Sequence, residues 1–468
     1  MKKPEEGEVP LREAARDFLK YLQYLETKHL LVRIENEVST EKDIGDYMYK
    51  SSVTGGPALL FENIRSDDLG IRYGMPLAGS VISTRQRAAI ALGVEENLAL
   101  EACISAMNNQ IPPKIVQKDP FSRKVFRGDN IDILKILPVA KCSPSDGGKY
   151  IGTGLIFAND PEFGRNVAIS RHQVLGKNRL GIVVFEPQHT AIYRRRAEER
   201  GEPLEVSIVL SCAPDLIIAS QFKPAIGVDE CRIAGGLRKA PVELVEGNSI
   251  GVEFPSSAQI VLEGEIPLGV WEKEGPFGEY TGYYGQSYEK MTVIDVKSVL
   301  IRDDISPVYY GSLPMPVEND VIKEIPMEAN ILFGLRRNCP GTVNVRCPWY
   351  GGSEDLVLIQ LKKTYEDEGK MAILGAISAT GQRPKLVVVV DSDVDIFNEA
   401  QVWNAMTYRM QPSKDVTIVR IHGNPLDPSL IKSPDGPCCM GIDATKPMHT
   451  KYAERIEQHG MQIKLPEA

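Results

Sequence analysis

The segment Trp271-Glu-Lys-Glu-Gly-Pro-Phe-Gly-Glu-Tyr-Thr-Gly-Tyr-Tyr284 combines closely spaced glutamates with glycines and a proline. Two of its glutamates, Glu274 and Glu279, lie on either side of Gly275-Pro276-Phe277-Gly278, a run whose glycines and proline exclude a helix. A loop of this kind can direct two carboxylates into one cavity, where each raises the proton affinity of the other and one becomes a usable acid. The alternative is a hairpin loop with two solvated glutamates, because Glu is usually exposed.

The sequence on both sides of this loop has the texture of a β domain. Short apolar or alternating runs are separated by turn residues at residues 150–157, 166–171, 180–185, 204–210, 240–245, 259–262, 291–299 and 306–310. Many short strands at close intervals predict a barrel or a sandwich. The basic run at residues 193–200 predicts a helix with a solvated face. The glutamate loop is therefore expected to be an insertion in a β domain.

The N-terminal part alternates helix and strand patterns. Apolar residues at three- and four-residue steps predict a helix over residues 11–28, and a second helix is expected at 41–50. Apolar runs at 30–34 and 57–61 predict strands. A further helix is expected to begin after a cap at Ser83 or Thr84. Together these elements predict a small α/β unit that closes near residue 135.

The same alternation returns after residue 312, with helices expected at 319–332 and 369–378 and a strand at 356–362. The continuous apolar run at 385–391 predicts a parallel strand covered on both faces. The acidic run Asp391-Ser-Asp393-Val-Asp395 could hold a divalent metal, but capping of the following helix is the preferred interpretation. The tail is predicted to contain a helix at 450–459.

Length and charge restrict the possible partners. A chain of 468 residues suggests three domains of about 150 residues each. A net charge of −9 argues against a nucleic-acid or anionic-membrane surface, so small molecules are the expected partners. The first eight residues lack the apolar core of a signal peptide, and no apolar run reaches the length of a membrane span, so we expect a cytoplasmic protein. The eight cysteines contain no C-x-x-C pair, which predicts reduced thiols and no zinc site.

The glutamate loop and several other motifs of the chain resemble those of a known protein family. Residues 274–284 resemble the signature of the UbiD family, reversible (de)carboxylases that use prenylated FMN. The resemblance extends, in family order and at similar spacing, to Asn166-Val-Ala-Ile-Ser-Arg171, Pro187-Gln-His189, Glu230-Cys-Arg-Ile-Ala-Gly-Gly-Leu-Arg238, Pro255-Ser-Ser-Ala-Gln-Ile-Val-Leu-Glu-Gly264 and Met440-Gly-Ile-Asp-Ala-Thr445. It therefore covers essentially the whole chain.

The resemblance implies a mixed α/β and β fold (α+β) in three domains. An N-terminal α/β domain at residues 1–135 is expected to precede a prenylated-FMN-binding split β-barrel at 136–311. A C-terminal α/β domain at 312–445 and a tail at 446–468 with an oligomerising C-terminal helix would follow. The coarse pattern described above has the same order.

The activity implied by the resemblance is non-oxidative removal of CO₂ from an aromatic, heteroaromatic or α,β-unsaturated carboxylic acid, through a covalent adduct with prenylated FMN. A flavin prenyltransferase would supply the cofactor, and the chain would form a homo-oligomer, either a dimer or a hexamer. Alternatives within the family are a decarboxylase of a phosphorylated isoprenoid acid, a carboxylase, or a non-catalytic subunit of a multi-subunit carboxylase. From the loop alone, a two-carboxylate glycoside hydrolase is a further alternative that needs no flavin.

The resemblance also assigns roles to single residues. Arg171, Glu274 and Glu279 match the family's catalytic network. Asn166, His189 and Glu230 match its ligands to a divalent metal, usually Mn²⁺, which with K⁺ holds the cofactor phosphate. The positions matching contacts to the cofactor are Ala168, Ile169, Arg171, Gln188, His189, Glu230 and Lys385. Ala168 departs from the family pattern, which often has a serine there.

The residue types suit these roles. Arginine has a planar fork that matches two carboxylate oxygens and does not deprotonate, so Arg171 is suited to hold a substrate carboxylate. Strand parity, however, puts Asn166 and Arg171 on opposite faces, which predicts a bulge or a strand end between them. Substrate choice is expected to depend on residues 313–319 and 437–440. Neither stretch contains a phosphate-binding cluster, which disfavours a phosphorylated substrate.

Overall fold

The computed structural model describes residues 9–311, 317–381, 383–433 and 436–454. Within these residues the strands are β1 (Leu31–Ile34), β2 (Val38–Ser39), β3 (Ala58–Phe61), β4 (Ile64–Ser66), β5 (Ile71–Tyr73), β6 (Leu77–Gly79), β7 (Lys114–Ile115), β8 (Arg123–Arg127), β9 (Tyr150–Asp160), β10 (Gly164–Val174), β11 (Arg179–Ile182), β12 (Leu204–Leu210), β13 (Glu243–Val245), β14 (Phe254–Pro255), β15 (Ile260–Ile266), β16 (Trp271–Glu274), β17 (Tyr288–Arg302), β18 (Tyr309–Tyr310), β19 (Thr342–Arg346), β20 (Leu356–Leu361), β21 (Leu386–Asp391), β22 (Val416–Arg420) and β23 (Cys438–Ala444).

The α-helices are α1 (Leu11–Ala14), α2 (Phe18–Thr27), α3 (Asp43–Val53), α4 (Arg85–Ala91), α5 (Ala99–Asn108), α6 (Ile133–Ile136), α7 (His189–Glu199), α8 (Pro214–Ala219), α9 (Glu230–Arg238), α10 (Glu318–Asn338), α11 (Glu368–Ala379), α12 (Glu399–Arg409) and α13 (Pro412–Asp415). Short 3-10 helices lie at Glu96–Leu98, Gly128–Asn130, Trp349–Gly351 and Pro428–Lys432.

The centre of the molecule is a closed antiparallel barrel of six strands. The strands pair in the order β11, β10, β9, β12, β15 and β17, and pairing of β11 with β17 closes the ring. Apolar side chains such as Ile156, Ile208, Leu262 and Ile294 belong to one continuous core of the barrel. β16 and β8 pair with β17 outside the ring, so the glutamate loop lies between two paired strands of the barrel sheet. The predicted insertion in a β domain is confirmed.

The N-terminal sheet is completed by a distant part of the chain. Its order is β1, β3, β6 and β18, and β18 comes from residues that follow the barrel. In the same way, β8 precedes the barrel in sequence but pairs with β17. These exchanges tie the N-terminal unit to the barrel at both ends, and the expected domain bounds stay a prediction.

The C-terminal sheet has the order β19, β20, β21, β23 and β22. β20, β21 and β23 are parallel to one another, and the edge strands β19 and β22 run antiparallel to their neighbours. α11 packs on β21 and β23, and a separate apolar core lies between the sheet and α12. The predicted parallel sheet with two covered faces is confirmed.

Helix α10 joins the parts of the molecule. It packs against α4 and α5 of the N-terminal part and against α8 of the central part. It also packs against α11 and β19 of the C-terminal part. Most of its residues are buried, including charged ones such as Glu318, Asp320, Lys323 and Glu328. Buried charged groups need ionic or hydrogen-bonding partners. Glu328 pairs with Arg85 of α4, and Glu318 accepts from the N–H of Ile82 and from the hydroxyl of Tyr310.

Local predictions hold best where a helix start has a clear cap. Thr84 caps α4 by accepting a hydrogen bond from the backbone N–H of Arg87, as one of the two predicted caps. The single helix expected at residues 11–28 is wrong, because the side chain of Asp17 accepts from the N–H of Lys20 and starts a second helix. The tail helix expected at 450–459 is absent at 450–454, and its remaining residues lie outside the described residues.

The acidic run after β21 has neither of its expected roles. Asn398, not an aspartate, caps α12. Arg409 instead donates to Asp391 at 2.6 Å and to Asp393 at 2.8 Å, and Lys446 reaches Asp393 at 2.7 Å. The prediction of a cap is wrong because basic side chains distant in sequence neutralise these carboxylates.

All eight cysteines are free thiols, as expected. Among the residues that the structure describes, no helix combines the length and the apolar character that a membrane crossing requires.

The ion pair between Arg85 and Glu328 gives a test of how α10 is held. Arg85 lies 2.6 Å from Glu328, which is fully buried, so replacement of Arg85 by Ala leaves a buried unpaired carboxylate. We expect the free energy of unfolding to fall by about 3–5 kcal/mol. Urea-induced unfolding measures this change.

The matched control is Arg336→Ala, which removes an exposed ion pair between α10 and Glu101 of α5. Exposed pairs contribute about 0–1 kcal/mol, so this variant should unfold nearly as the parent does. Equal effects of the two substitutions would contradict the role given to Arg85.

Candidate active site

The glutamate loop is fixed by hydrogen bonds to the start and side of the barrel. The N–H of Gly275 donates to the Gln173 side chain at 3.0 Å, and the N–H of Gly278 donates to Asp146 at 2.8 Å. The N–H of Gly147 donates to the carbonyl of Pro276 at 2.7 Å. Gly275 has φ +90°, and a Cβ there would lie 2.9 Å from the carbonyl oxygen of Gln286, so this position requires glycine. The loop conformation is therefore over-determined.

These bonds place both glutamates against Arg171 on β10. The Nε of Arg171 donates to Glu274 Oε1 at 3.1 Å and its Nη2 to Glu274 Oε2 at 3.2 Å, a bidentate pair. Its Nη1 donates to Oε1 of Glu279. Glu274 is fully buried and Glu279 is 4% exposed. The three residues predicted to act together are therefore in direct contact.

Burial and charge act in opposite directions on these groups. Burial raises the pKa of Glu279, and Arg171 only partly offsets this. For Arg171, burial lowers the pKa of the guanidinium, but the two glutamates outweigh it and keep the pKa above its ordinary value. A guanidinium that stays charged beside a carboxyl with raised proton affinity can hold an anion while its neighbour carries a proton.

Aromatic side chains enclose the network. The Arg171 guanidinium lies 4.8 Å from the ring centroid of Phe277, which packs against Tyr150 at 4.5 Å. Phe277 is 2% exposed. Burial raises the pKa of Tyr150, so its hydroxyl remains protonated. These rings exclude water from one side of the charged groups and strengthen the interactions between them.

The predicted metal ligands Asn166, His189 and Glu230 lie on three elements that meet at one end of β10. Asn166 Nδ2 is 3.4 Å from the hydroxyl of Thr190, the residue after His189. The N–H of Val167, the residue after Asn166, donates to Glu230 at 2.7 Å. His189 and Glu230 are the first residues of α7 and α9. Two helix N-termini and one strand thus converge, an arrangement that attracts anions.

Glu230 has the surroundings of a group that needs a cation. It is 2% exposed, and burial raises its pKa to about 8. No salt bridge to Glu230 is formed by any lysine, arginine or histidine that the structure describes. Among the described residues, no three His, Cys, Asp or Glu side chains are grouped as ligands of a metal ion. The predicted ligands Asn166, His189 and Glu230 are not a group of that type, because Asn166 would bind through an amide.

The other predicted cofactor residues are divided between two places. Ala168 and Ile169 pair with Ile156 and Leu155 in the centre of β10, and the side chain of Gln188, which precedes α7, accepts from the N–H of Phe185. The predicted irregularity is present, because the register between β9 and β10 shifts between Ser170 and His172. It lies at Arg171, the end of the predicted interval.

Lys385 lies in the C-terminal part. Its ammonium is 2.8 Å from Asp427 and 2.5 Å from the hydroxyl of Ser429. It lines a cavity of about 170 Å³, whose other residues are Asp355, Arg383, Ile421, Gly423, Asn424, Asp427, Ser429, Leu430, Ser433, Pro437 and Cys438. Residues 437 and 438, predicted to face the substrate, are in this wall, and residues 313–316 lie outside the described residues.

Three family models match consecutive parts of the chain. They are described as the N-terminal, Rift-related and C-terminal domains of 3-octaprenyl-4-hydroxybenzoate carboxy-lyase, and they match residues 22–107, 114–316 and 320–444. The chain belongs to the UbiD family. The resemblance inferred from the motifs is therefore confirmed.

Several UbiD relatives are similar over nearly the whole chain. Phenolic acid decarboxylase of Bacillus subtilis is 32% identical over 454 residues, 93% of each chain. Anhydromevalonate phosphate decarboxylase of Methanothermobacter thermautotrophicus is 31% identical over 435 residues, 91% of this chain and 96% of the relative. The structure of an evolved dimeric form of HmfF from Pelotomaculum thermopropionicum in complex with prFMN has a TM-score of 0.86 at 35% identity, covering 96% of this chain and 99% of that one. The mixed α/β fold with three domains is shared with this UbiD-class structure.

Sequence reasoning missed the residues that hold the UbiD signature loop in place. Asp146, Tyr150 and Gln173 contact it, but each is an ordinary residue in an ordinary pattern. Gly147 carries the one usable signal, because a Cβ there would lie 2.2 Å from the carbonyl oxygen of Gly275. A Gly-Gly pair shortly before a strand, here separated from β9 by Lys149, indicates a close backbone approach.

Replacing Arg171 by Met tests the charge balance of the UbiD loop without reference to activity. Without the guanidinium, burial and the Glu274 charge raise the pKa of Glu279 further above its value in the unfolded chain. A raised pKa gives stability that is present below the ordinary carboxyl pKa and lost as the pH rises through the folded value. We expect the variant to lose about 3–5 kcal/mol of unfolding free energy at pH 8 and less at pH 5.

Thermal and urea unfolding at the two pH values measure this difference. The control is Arg171→Lys, which keeps a positive charge and should show a smaller loss with weaker pH dependence. A loss in Arg171→Met that is independent of pH would contradict the assigned balance.

Proposed function

We propose that this chain is a prenylated-FMN-dependent carboxy-lyase that removes CO₂ from an aromatic, heteroaromatic or α,β-unsaturated carboxylic acid. The observation that carries the proposal is the pairing of Arg171 with both buried glutamates. The similarity of the whole chain to decarboxylases of the UbiD family supports the same reaction class.

Each residue of the network has a step that suits its chemistry. Arg171 binds and orients the substrate carboxylate through its N–H donors. Prenylated FMN, when bound, supplies the electron sink that no side chain offers. Loss of CO₂ leaves the electron pair of the broken bond for a new C–H bond, and Glu279 would deliver the proton that completes this bond. Glu274 keeps Arg171 in place, and Phe277 and Tyr150 exclude water from the buried side of the guanidinium.

We propose that Asn166, His189 and Glu230 hold a divalent cation, Mn²⁺ in the first instance, which with K⁺ binds the cofactor phosphate. The fit rests on the buried Glu230, which has no cationic partner among the described residues, and on an imidazole and an amide brought to the same end of β10. One carboxylate leaves positive charge on a divalent ion for the phosphate. The N-termini of α7 and α9 add to that attraction.

We further propose the domain bounds, the cofactor supply and the oligomeric state of the protein. The domains would span residues 1–135, 136–311 and 312–445, with a tail at 446–468 that serves oligomerisation. A flavin prenyltransferase would supply the cofactor in the cytoplasm, and the chain would work as a homodimer or a hexamer. Ala168, Ile169, Gln188 and Lys385 would contact the cofactor.

A phosphorylated unsaturated acid is the second candidate substrate. The lack of a phosphate-binding cluster in residues 313–319 and 437–440 disfavours it, but a phosphate can also be bound by side chains that are distant in sequence. The cavity places Arg383 and Lys385 beside Pro437 and Cys438, together with the carboxylates of Asp355 and Asp427, the second of which already pairs with Lys385. The similarity to an anhydromevalonate phosphate decarboxylase adds to this case.

The experiment that tests the function begins with co-production of the chain and a flavin prenyltransferase. The absorption and mass of the bound cofactor are recorded, and CO₂ release is followed with phenolic, furoic, cinnamic and phosphorylated short unsaturated acids. The panel is repeated at high CO₂ to test carboxylation. We expect release with at least one acid, and only in cofactor-loaded protein. Turnover by the isolated chain would eliminate the alternative of a non-catalytic subunit.

Glu279→Gln is the decisive variant in that assay. It keeps the size and the polarity of the side chain but cannot deliver a proton, so we expect turnover to fall about 10²–10⁴-fold with unchanged cofactor content. Retained turnover would remove Glu279 from the acid role. Hydrolysis of glycosides by flavin-free protein would replace the proposal altogether.

Replacement of Glu230 by Gln tests the cation site. We expect loss of most bound Mn²⁺ and weaker retention of the flavin, because the only carboxylate of the set is removed. Metal analysis by mass spectrometry and flavin absorbance provide the two measurements. Glu243→Gln, which changes an exposed carboxylate, should keep both, and an unchanged metal content in Glu230→Gln would refute the assignment.

A further inference from the structure

Tyr280 and Glu279 are adjacent but belong to different networks. Glu279 is hydrogen-bonded to Arg171 of the barrel. The hydroxyl of Tyr280 donates to Oε1 of Glu354 at 3.1 Å and accepts from Nδ2 of Asn424 at 2.6 Å, and both partners belong to the C-terminal part. Tyr280 is 8% exposed. A single peptide bond therefore separates a contact to the barrel from a contact to another domain.

The partners of Tyr280 are themselves held firmly. Glu354 is 2.5 Å from Lys223 and 3.7 Å from Arg383. Although burial alone raises the pKa of Glu354, the nearby cations outweigh it and bring the pKa well below its ordinary value. An ionised carboxylate only accepts hydrogen bonds, so the direction of the bond from Tyr280 is fixed.

Asn424 completes this arrangement. Its Nδ2 donates to both carboxylate oxygens of Asp355, at 3.1 and 2.9 Å, as well as to Tyr280. Burial raises the pKa of Tyr280, so the hydroxyl stays protonated. One donor and one acceptor, each anchored by charged groups, thus fix the tyrosine hydroxyl in position and in orientation.

Lys323 of α10 interacts with both Tyr280 and Glu279. Its Nζ lies 3.6 Å from the ring centroid of Tyr280, a distance at which a cation is attracted to the ring face. The residue is 9% exposed. Its charge also reaches Glu279, where it opposes the rise of the pKa caused by burial. The other charged or titratable groups that act with Glu279 are Arg171, Glu274 and Tyr288.

We propose that Tyr280 is a positioning residue through which Glu354, Asn424 and Lys323 of the C-terminal part hold Glu279 in its working place beside Arg171. This inference rests on the acid role of Glu279 under the proposed function. It gives the C-terminal domain a part in proton delivery that is separate from binding the substrate or the cofactor.

The size of the effect follows from the sensitivity of proton transfer to geometry. Displacement of a reacting group by about 1 Å lowers a rate by about 10²-fold. Loss of the Tyr280 hydroxyl frees the loop on the side of the C-terminal part, while the bonds from Asp146 and Gln173 keep its other side in place. Glu279 then becomes more mobile and better solvated without loss of the fold.

The test compares Tyr280→Phe with Tyr283→Phe in cofactor-loaded protein. Tyr283 lies in the same loop but is 63% exposed, so it is a matched control. We expect kcat to fall about 10- to 100-fold in Tyr280→Phe, with KM and cofactor absorbance within twofold of the parent. Tyr283→Phe should match the parent. Equal behaviour of the two variants would overturn the proposal.

The pH profile separates positioning from simple loosening of the fold. Turnover requires protonated Glu279, so its alkaline limit follows the pKa of that group. In Tyr280→Phe, greater solvation lowers this pKa and moves the limit to lower pH. In Lys323→Met, loss of a nearby cation raises it and moves the limit to higher pH. Shifts of both variants in the same direction would contradict the assigned roles.

A measurement without turnover keeps this inference separable from the proposed function. The carboxyl infrared band of Glu279 is identified by subtraction of the Glu279→Gln spectrum and titrated in each variant. We expect the pKa of Glu279 to fall in Tyr280→Phe and to rise in Lys323→Met, even if the protein decarboxylates none of the acids tested. That outcome would refute the proposed function and leave the positioning role of Tyr280 in place. An unshifted band in both variants would refute the positioning role, whatever the activity.

The double variant Tyr280→Phe/Asn424→Ala supplies the last criterion. If both residues act through one contact, the loss of kcat in the double variant should equal the larger single loss. Additive losses would show that the two residues act independently and would contradict the proposal.

Discussion

The charge balance among Arg171, Glu274 and Glu279 is the constraint on which the site depends. Two carboxylates buried this deeply cannot both be ionised without a nearby cation, because the desolvation of each costs several kcal/mol. With both carboxylates ionised, one guanidinium leaves the set with one negative charge in excess, and a proton on one carboxyl removes that excess. The hydrogen bonds between the loop and Asp146, Gln173 and Gly147 hold the two carboxylates beside the guanidinium.

Buried charge joins the domains elsewhere too. Arg85 meets Glu328 between α4 and α10, and Lys223 of the central part meets Glu354 of the C-terminal part. Such pairs add little net stability relative to apolar contacts, but they are strongly unfavourable when misaligned. They therefore fix one relative arrangement of the domains. Tyr280 of the loop contacts Glu354 and Asn424 of the C-terminal part, and a fixed arrangement of this kind is what the proposed positioning of Glu279 requires.

The sequence predicts what depends on neighbours along the chain. The cap at Thr84, the barrel strands and the parallel strand β21 follow from patterns within about ten residues. The signature motifs identify Arg171, Glu274 and Glu279 because the family resemblance carries long-range information. Tyr280 lies in the same motif, yet its partner Asn424 is 144 residues away, and no local pattern marks that contact. The acidic run at Asp391 was misinterpreted for the same reason.

Buried carboxylates near the two ends of β10 need positive charge, and the source of that charge differs between the two places. At Arg171 a guanidinium of the chain and one proton balance the two buried carboxylates, so no added cation is needed there. At Glu230 the carboxylate is equally buried, but the charge that would match it is not found among the described residues. The helix N-termini of α7 and α9 favour an anion there and offset part of the desolvation, since each carries about half a positive charge. A divalent ion held by Asn166, His189 and Glu230, as proposed, would complete the balance and leave positive charge for a phosphate group.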